Sequence, residues 1–291
     1  MSHTTALPTS NPWRAVGDID IAMADVDHVE GIAVAPDGSL WAGGDAGQIY
    51  RATDGDTWEI IATLPGRTLG IAFDGGGSAY CCDMTDPGVY RVSPTGEVSL
   101  YSRGDEARPF RVPNYPAFLP DGTLLVSDSG DWEEPNGTIQ AIDPGGSARV
   151  LSDLPSSFPN GLCVSADGRT VYVCETTASR ISVLHLDAAS VVHFETVLEL
   201  PGALPDGVAL DADGRLYIAC YVPDAIFVLG LDGSLELVIQ DPRRILLNEP
   251  TNIAFGGPSM TDLYFANLGD RHVGRLHLGV AGLAPHRPNL A

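Results

Sequence analysis

Four side chains that could bind a hard metal ion recur at one position of a repeated sequence motif. The motif starts at Glu30, Leu69, Asn114, Asn160, Asp206 and Thr251, and successive starts are 39, 45, 46, 46 and 45 residues apart. Glu30 and Asp206 carry carboxylates, and Asn114 and Asn160 carry carboxamides. These four side chains offer oxygen but neither sulfur nor imidazole. Oxygen donors suit Ca²⁺, Mg²⁺ or Mn²⁺ better than Zn²⁺. The four would form a site only if the fold brought the motif starts together.

Each motif contains a short apolar strand, a turn with Asp-Gly or Gly-Gly, and a second apolar strand, as in EGIAVAPDGSLWAGG from Glu30. The period is typical of four-stranded propeller blades, and sustained helical periodicity is absent. The sequence therefore predicts an all-β protein, a six-bladed β-propeller with four antiparallel strands per blade. We expect one domain over residues 1–291, with residues 1–15 as a flexible N-terminal segment and 280–291 as a C-terminal tail.

The sixth repeat ends before a fourth strand is complete. Only a Pro-rich tail follows HVGRLHL, whereas residues 18–26 show strand-like alternation and have no blade of their own. We therefore predict that this N-terminal strand closes the last blade as its outer strand, which would leave no open sheet edge there.

Propeller geometry places the first residue of each innermost strand at one mouth of the central channel. Two carboxylates meeting there would repel each other in a partly dry site, and a divalent cation would relieve that repulsion. The alternative is that Asn and Asp are ordinary turn residues at strand starts. Against it, the same position holds Leu69 in the second repeat, where a turn would tolerate Asp or Asn equally well.

Composition excludes several classes of function. The formal net charge is −22, which argues against nucleic-acid binding, and all 16 cationic residues are Arg, which excludes chemistry that needs a lysine amine. No stretch has the length of a signal peptide core or a membrane span, and five cysteines do not form a disulfide framework, so we expect a cytoplasmic protein. No Gly-x-Ser-x-Gly motif supports a serine nucleophile.

Three segments, EGIAVAPDG, PNGLCVSADG and LPDGVALDADGRLYIACY, resemble in order and spacing the SMP-30/gluconolactonase/LRE-like family of six-bladed propellers. The resemblance covers about residues 16–280. It implies a lactone-opening hydrolase with Glu30, Asn160 and Asp206 as metal ligands, and Asn114 as a further ligand or a substrate contact. Ca²⁺ is the expected cofactor, with Mg²⁺, Mn²⁺ or Zn²⁺ as alternatives. Related propellers often hold a second calcium deeper in the channel, for which this sequence suggests no ligands.

One position departs from the family pattern. Gluconolactonases similar to this chain usually carry an Arg two residues before the Asn, whereas here Arg111 lies three residues before Asn114. Arg111 is therefore either a substrate-binding residue or a solvated arginine at a strand end.

A cation at the mouth would act as a Lewis acid on a lactone carbonyl, with water as the nucleophile. The resemblance points to Asp206 as the base that activates this water, and Asn114 is the second candidate catalytic residue. The candidate substrate-binding residues around the mouth are Asn114, Arg111, Tyr115, Trp132, Tyr221 and His272.

Three alternatives to lactone opening remain open. They are a phosphotriesterase-like hydrolase, a non-hydrolytic enzyme of secondary metabolism with the same metal site, and a propeller that binds without catalysis. The expected partner is a small-molecule substrate, with no nucleic acid and no membrane. The sequence does not set the oligomeric state.

Overall fold

The computed structural model describes residues 3–4, 6–53, 57–188 and 190–290. In this part of the chain, 25 β-strands form six antiparallel sheets of four strands each, with one further short strand, and a 3₁₀ turn is present at Val16–Asp18. The innermost strand of every sheet lies beside the innermost strands of two neighbouring sheets, and the sixth lies beside the first. The predicted six-bladed β-propeller is confirmed.

The chain opens with β1 (His3–Thr4) and β2 (Ile19–Ala24). From the channel outward, blade 1 consists of β3 (Gly31–Val34), β4 (Leu40–Gly43), β5 (Gln48–Ala52) and β6 (Trp58–Thr63). Blade 2 consists of β7 (Thr68–Phe73), β8 (Ala79–Asp83), β9 (Gly88–Val92) and β10 (Val98–Ser102). Blade 3 consists of β11 (Pro113–Phe118), β12 (Leu124–Asp128), β13 (Thr138–Ile142) and β14 (Ala148–Ser152).

The second half of the ring repeats this order. Blade 4 consists of β15 (Pro159–Val164), β16 (Thr170–Glu175), β17 (Arg180–Asp187) and β18 (Ser190–Glu199). Blade 5 consists of β19 (Leu204–Leu210), β20 (Leu216–Val222), β21 (Ala225–Leu229) and β22 (Leu235–Gln240). Blade 6 takes three strands from the end of the chain and one from its start: β23 (Pro250–Gly256), β24 (Asp262–Asn267), β25 (His272–His277) and β2.

The N-terminal strand closes the ring as predicted. β2 pairs antiparallel with β25, with Ile19 opposite Leu276, and so supplies the outer strand of blade 6. The residues before it follow the outer edges of two other blades. β1 pairs in parallel with β18 of blade 4, and the backbone N–H of Trp13 donates to the carbonyl of Leu237 in blade 5.

The Asp-Gly pairs form the turns between the first and second strands. In blade 1, Gly38 adopts a φ of 86°, in the left-handed region that glycine favours, and the Asp37 carboxylate accepts a hydrogen bond from the backbone N–H of Ser39. Blade 4 repeats the arrangement with Asp167 and Gly168. These turns explain why the same dipeptide recurs along the sequence.

The core is divided among the interfaces between blades. Six clusters of buried apolar side chains are present in the described residues, one between each pair of neighbouring blades. Between blades 1 and 2, for example, Trp41 packs edge-to-face on Phe73 with ring centroids 5.1 Å apart. Because each blade buries both faces, stability depends on the complete ring.

The C-terminal tail crosses the end of the channel opposite the motif starts. Leu283 N–H donates to the Leu210 carbonyl of blade 5, Arg287 Nη2 donates to the Val34 carbonyl of blade 1, and the Pro288 carbonyl accepts from a backbone N–H of blade 2. All five cysteines are free thiols. Within the described part of the chain, no helix has the length and hydrophobicity that crossing a membrane would need.

Candidate functional site

The motif-start residues lie where the hydrogen-bond pairing between the first and second strands becomes irregular. Between the first and second strands of blades 2 to 6, the register shifts at the motif start, as between Pro159 and Leu162 or between Pro205 and Val208. A β-bulge inserts an extra residue and re-aims the side chains beside it. Asn160 and Asp206 lie within two of these shifts, at the start of their inner strands.

Glycine residues after the motif starts allow neighbouring inner strands to approach closely. A Cβ on Gly31 would lie 1.6 Å from the carbonyl oxygen of Leu69, and one on Gly161 would lie 2.4 Å from that of Asp206. No other residue type fits at such distances. The Glu-Gly, Asn-Gly and Asp-Gly pairs of the motif are therefore needed to bring the rim of the channel together.

A hydroxyl relay fixes the orientation of both asparagine side chains. Asn114 Nδ2 donates to Ser129 Oγ over 3.1 Å, and this hydroxyl donates to the Pro159 carbonyl over 2.9 Å. Asn160 Nδ2 likewise donates to Thr176 Oγ1, which donates to the Pro205 carbonyl over 2.7 Å. Because each hydroxyl uses its only proton on a carbonyl, it can only accept from the amide. The amide nitrogen of each asparagine therefore points toward the hydroxyl of its own blade, and the amide oxygen points away from that hydroxyl, toward the channel.

Three oxygens of the predicted ligand set are buried without a partner. Asn114 Oδ1, Asn160 Oδ1 and Asp206 Oδ1 make no hydrogen bond to any described residue, and the three residues are at most 4% exposed. Buried polar atoms are nearly always paired, so such a group of acceptors needs an explanation. A cation that accepts lone pairs from all three would supply it.

Asp206 lies at the centre of this group. Its Oδ2 accepts a 3.1 Å hydrogen bond from Asn160 Nδ2, while Oδ1 has no such bond. Burial raises the pKa of Asp206 well above its usual range, and the nearby Glu30 carboxylate raises it further, against the lowering effects of Asn160 and Arg67. A buried acid of this kind holds a proton unless a positive charge replaces it.

Glu30, the other carboxylate of the set, is 8% exposed and faces an arginine. Arg67 Nη2 donates to Glu30 Oε2 over 2.6 Å. Burial raises the pKa of Glu30, and Arg67 opposes that effect through its charge and its hydrogen bond. The pKa of Asp206 is therefore raised more than that of Glu30, because the guanidinium is the direct partner of Glu30.

The sequence-predicted pocket residues fall at different places around the channel. Tyr221 lies near the end of the second strand of blade 5, and burial raises its pKa, as do the charges of Asp206, Glu249 and Glu30. Tyr115 lies inside the channel and lines a cavity there. Trp132 is half-exposed and packs edge-to-face on Phe158, with ring centroids 4.8 Å apart.

Arg111 and His272 are engaged elsewhere. The Arg111 guanidinium donates to both carboxylate oxygens of Asp131 over 2.6 Å, and about half of its side chain is exposed. His272 is buried, and its Nε2 lies 3.1 Å from the Leu246 carbonyl oxygen and 2.9 Å from Asn267 Nδ2. Neither side chain is hydrogen-bonded to the four oxygen-bearing residues.

Two residues at this mouth were not singled out from the sequence. Arg67 lies two residues before the motif start Leu69. Similar gluconolactonases usually carry an Arg at the same spacing before the motif start of the next blade, which here is Asn114. Asn252 follows Thr251 and is fully buried. Its amide lies close enough to Asp206 to lower the pKa of that carboxyl, yet neither amide atom completes a hydrogen bond with a described residue.

Below the mouth, the channel is apolar. It contains a cavity of about 120 Å³ that the C-terminal tail helps to line. The residues three positions after each motif start all face this cavity: Ala33, Ala72, Ala117, Cys163, Ala209 and Ala254. These six side chains carry no oxygen, so this ring provides no side-chain ligand for a second calcium ion.

The donor set at the mouth fits a hard divalent cation. It combines two carboxylates with two amide oxygens aimed at the channel, and Asn252 could add a third amide oxygen. The described residues contain no cluster of three or more His, Cys, Asp and Glu side chains placed to bind a metal, which agrees with a site that takes half its ligands from amides.

Comparisons with known proteins agree with this architecture. The family model described as the SMP-30/Gluconolactonase/LRE-like region matches residues 29–268. A gluconolactonase from Xanthomonas campestris is 19% identical with a TM-score of 0.77, over 91% of this chain and 89% of that one. A luciferin-regenerating enzyme is 18% identical with a TM-score of 0.74, over 94% and 99% of the two chains.

A calcium-binding regucalcin from Agrobacterium tumefaciens is 19% identical with a TM-score of 0.72, and the match covers 100% of both chains. None of the curated protein sequences matches this chain. At these identities the solved structures share the fold, whereas the family model also matches the sequence across most of the propeller.

Proposed function

The chain belongs to the SMP-30/gluconolactonase/LRE-like family, and on that premise we propose that it is a divalent-metal-dependent hydrolase that opens a lactone ring. The proposed site is the channel mouth formed by Glu30, Asn114, Asn160 and Asp206. The gluconolactonase and regucalcin folds among its structural neighbours are in keeping with a lactone substrate and with calcium.

The observation that carries the proposal is the set of unpartnered oxygens at the mouth. The three buried acceptors belong to the motif starts of three successive blades, Asn114, Asn160 and Asp206, and Glu30 is the motif start of blade 1. Hydrogen bonds to Ser129 and Thr176 fix the orientation of the two amides. Buried acceptors are rarely left unpaired, since each loses its hydration, so the three unpartnered oxygens favour a bound cation at the mouth. Asn252 is proposed as an additional oxygen donor.

We assign the proton transfers to Asp206. A bound Ca²⁺, or Mg²⁺, Mn²⁺ or Zn²⁺ in its place, would supply Lewis acidity toward the lactone carbonyl. Asp206 Oδ1 has two lone pairs and no hydrogen bond within the described chain, so one lone pair would bind the cation and the other would accept a proton from an attacking water. The water oxygen adds to the carbonyl carbon, the ring C–O bond breaks, and Asp206 returns the proton to the departing alkoxide. The product is a hydroxy acid.

The remaining pocket residues are assigned by position. Asn114 is proposed to orient the substrate carbonyl or to complete the ligand set. Tyr221, near the end of the second strand of blade 5, and Tyr115, deeper in the channel, are proposed as walls that bury the apolar part of the substrate. Trp132 and Arg111 lie farther out, and we propose that they contact only larger substrates. His272 is proposed to support the wall of blade 6, because its ring is already hydrogen-bonded within that blade and to the Leu246 carbonyl.

The test is an assay of metal-loaded protein against three classes of electrophile: aliphatic lactones, sugar lactones and phosphotriesters. We expect turnover of lactones by the parent and a roughly 100-fold loss of kcat/KM in Asn114→Ala, which removes a positioning group without removing charge. Metal affinity, measured by calorimetry, should fall less in Asn114→Ala than in Asp206→Ala. Hydrolysis of phosphotriesters alone, or full lactonase activity in Asn114→Ala, would contradict the assignment.

A further inference from the structure

Arg67 places a positive charge directly against the candidate site. Its Nη2 lies 2.6 Å from Glu30 Oε2 and its Nε lies 3.3 Å from Asp45 Oδ1. About a quarter of the side chain is exposed. The guanidinium therefore lies between a buried carboxylate of the channel mouth and a half-exposed carboxylate at the surface, where a small molecule entering the mouth could reach it.

The backbone of Arg67 is held firmly. Its N–H donates to Thr85 Oγ1 over 3.1 Å, and its carbonyl accepts from the Met84 N–H over 2.9 Å. The preceding Gly66 N–H donates to the buried Asp83 carboxylate, and a Cβ on Gly66 would lie 2.1 Å from Thr85 Cβ. The start of the side chain is thus fixed by blade 2, whereas among the described residues its guanidinium pairs only with the carboxylates of Glu30 and Asp45.

Once a divalent cation is bound, the positive charge of Arg67 is no longer balanced by the carboxylates of the mouth. Glu30 and Asp206 together carry two negative charges, which balance a divalent ion. Asp45 is exposed by about half, so water weakens its interaction with the guanidinium. In a chain with a formal charge of −22, an anionic ligand would be repelled unless positive charge were concentrated where it binds.

We propose that Arg67 is the carboxylate-recognition residue of this site, and that the enzyme's ligands include small hydroxy acids, or lactones that carry a carboxylate. The planar guanidinium offers two parallel N–H donors, which match the two oxygens of a carboxylate. We assign this role to Arg67 and not to Arg111, because Arg67 contacts Glu30 at the mouth, whereas Arg111 pairs with Asp131 and is about half exposed. The inference rests on the proposed function, because it places the carboxylate beside the metal.

The experiment uses two probes that differ only in charge, 5-hydroxypentanoate and 5-hydroxypentanamide. Their affinities for Ca²⁺-saturated protein are measured by calorimetry, together with Ca²⁺ affinity itself, in the parent and in Arg67→Gln, Arg67→Lys and Arg275→Gln. Arg275 is the matched control, because it pairs with Asp20 on the outer strands of blade 6, away from the channel.

We expect Arg67→Gln to reduce the preference for the acid over the amide by at least tenfold, and Arg67→Lys to restore part of it. Ca²⁺ affinity should stay the same or rise, since the guanidinium competes with a cation for Glu30. Arg275→Gln should match the parent in every measurement. A loss of Ca²⁺ affinity in Arg67→Gln would show that Arg67 merely supports Glu30, and an unchanged acid preference would also overturn the inference.

Failure of the proposed function is recognised separately. If the parent binds no Ca²⁺, the metal site is refuted, and the acid and amide are compared on the same proteins without metal. An acid preference that Arg67→Gln abolishes would then still support carboxylate recognition, whereas equal binding of the two probes would refute it.

Discussion

Replacing Asp206 with Asn should stabilise the protein when calcium is removed by a chelator, and should reduce the further stabilisation that calcium gives. Asp206 is buried with one unpartnered oxygen, and its pKa is raised by burial and by Glu30. A raised pKa in the folded state means that its contribution to stability is complete below the ordinary aspartate pKa and is lost as the pH rises through the folded value. At neutral pH in chelator, Asn avoids this loss.

The magnitude follows from the burial of the group. Replacing a buried, imperfectly paired acid whose ionised form is unfavourable by a neutral group of the same shape should raise the free energy of unfolding by about 1–3 kcal/mol, or roughly 2–5 °C in Tm for a chain of this length. With calcium at a thousandfold excess over Kd, the parent should gain about 4 kcal/mol. The variant should bind calcium at least tenfold more weakly and lose about 1.4 kcal/mol or more of that gain.

The assay is differential scanning calorimetry of both proteins with EDTA and with CaCl₂. Asp211→Asn is the control, since Asp211 is also a buried aspartate of blade 5 but its oxygens accept from Arg215 and from backbone N–H groups. It should lower Tm to the same extent in both solutions. The reasoning is refuted if Asp206→Asn lowers Tm in EDTA, or if calcium shifts the parent and Asp206→Asn equally.

Three further predictions concern the site and its scaffold. Calcium affinity should rise with pH, and calcium binding should release protons, because Glu30 and Asp206 have raised pKa values and must lose their protons before they bind the cation. Calorimetry in two buffers of different ionisation enthalpy would contradict this if it showed no proton release. Gly31→Ala should destabilise by about 3 kcal/mol or more because its Cβ would meet the Leu69 carbonyl, whereas Gly17→Ala, with open space around it, should have little effect on Tm. Deleting residues 1–26 should abolish cooperative melting because it removes β2 and exposes the edge of β25, while deleting residues 1–10 should not; a cooperative transition in the longer deletion would be the contrary result.

The sequence predicts the repeating part of the molecule well, because the signals that define the strands and turns of a blade lie within the repeat itself. Alternating apolar residues and Asp-Gly turns define the strands, and the missing fourth strand of the last repeat identifies β2 as the closing strand, as its pairing with β25 confirms. The motif starts are also readable, because the glycine after Glu30 or Asp206 is required by the approach of the next blade.

Features that depend on contacts between distant segments were not predicted. The attachment of β1 to blade 4 and the course of the tail across the channel depend on a few backbone contacts between residues that are far apart in the sequence. Arg67 reaches Glu30 from the neighbouring blade, and a repeat alignment cannot show which way a long side chain extends. Asn252 occupies the position that glycine holds in four other blades, so its value as an oxygen donor emerged only from its unpaired amide.

The most direct test of the central claim is a stoichiometric titration of chelator-treated protein with Ca²⁺, followed by pH-stat measurement of lactone opening at each addition. One bound ion at the ring of Glu30, Asn114, Asn160 and Asp206 predicts activity that rises in proportion to added calcium and levels off at about one equivalent. In Glu30→Gln the same titration should need at least tenfold more calcium. Full lactone hydrolysis in the presence of chelator, or tight calcium binding that leaves the hydrolysis rate unchanged, would contradict the claim.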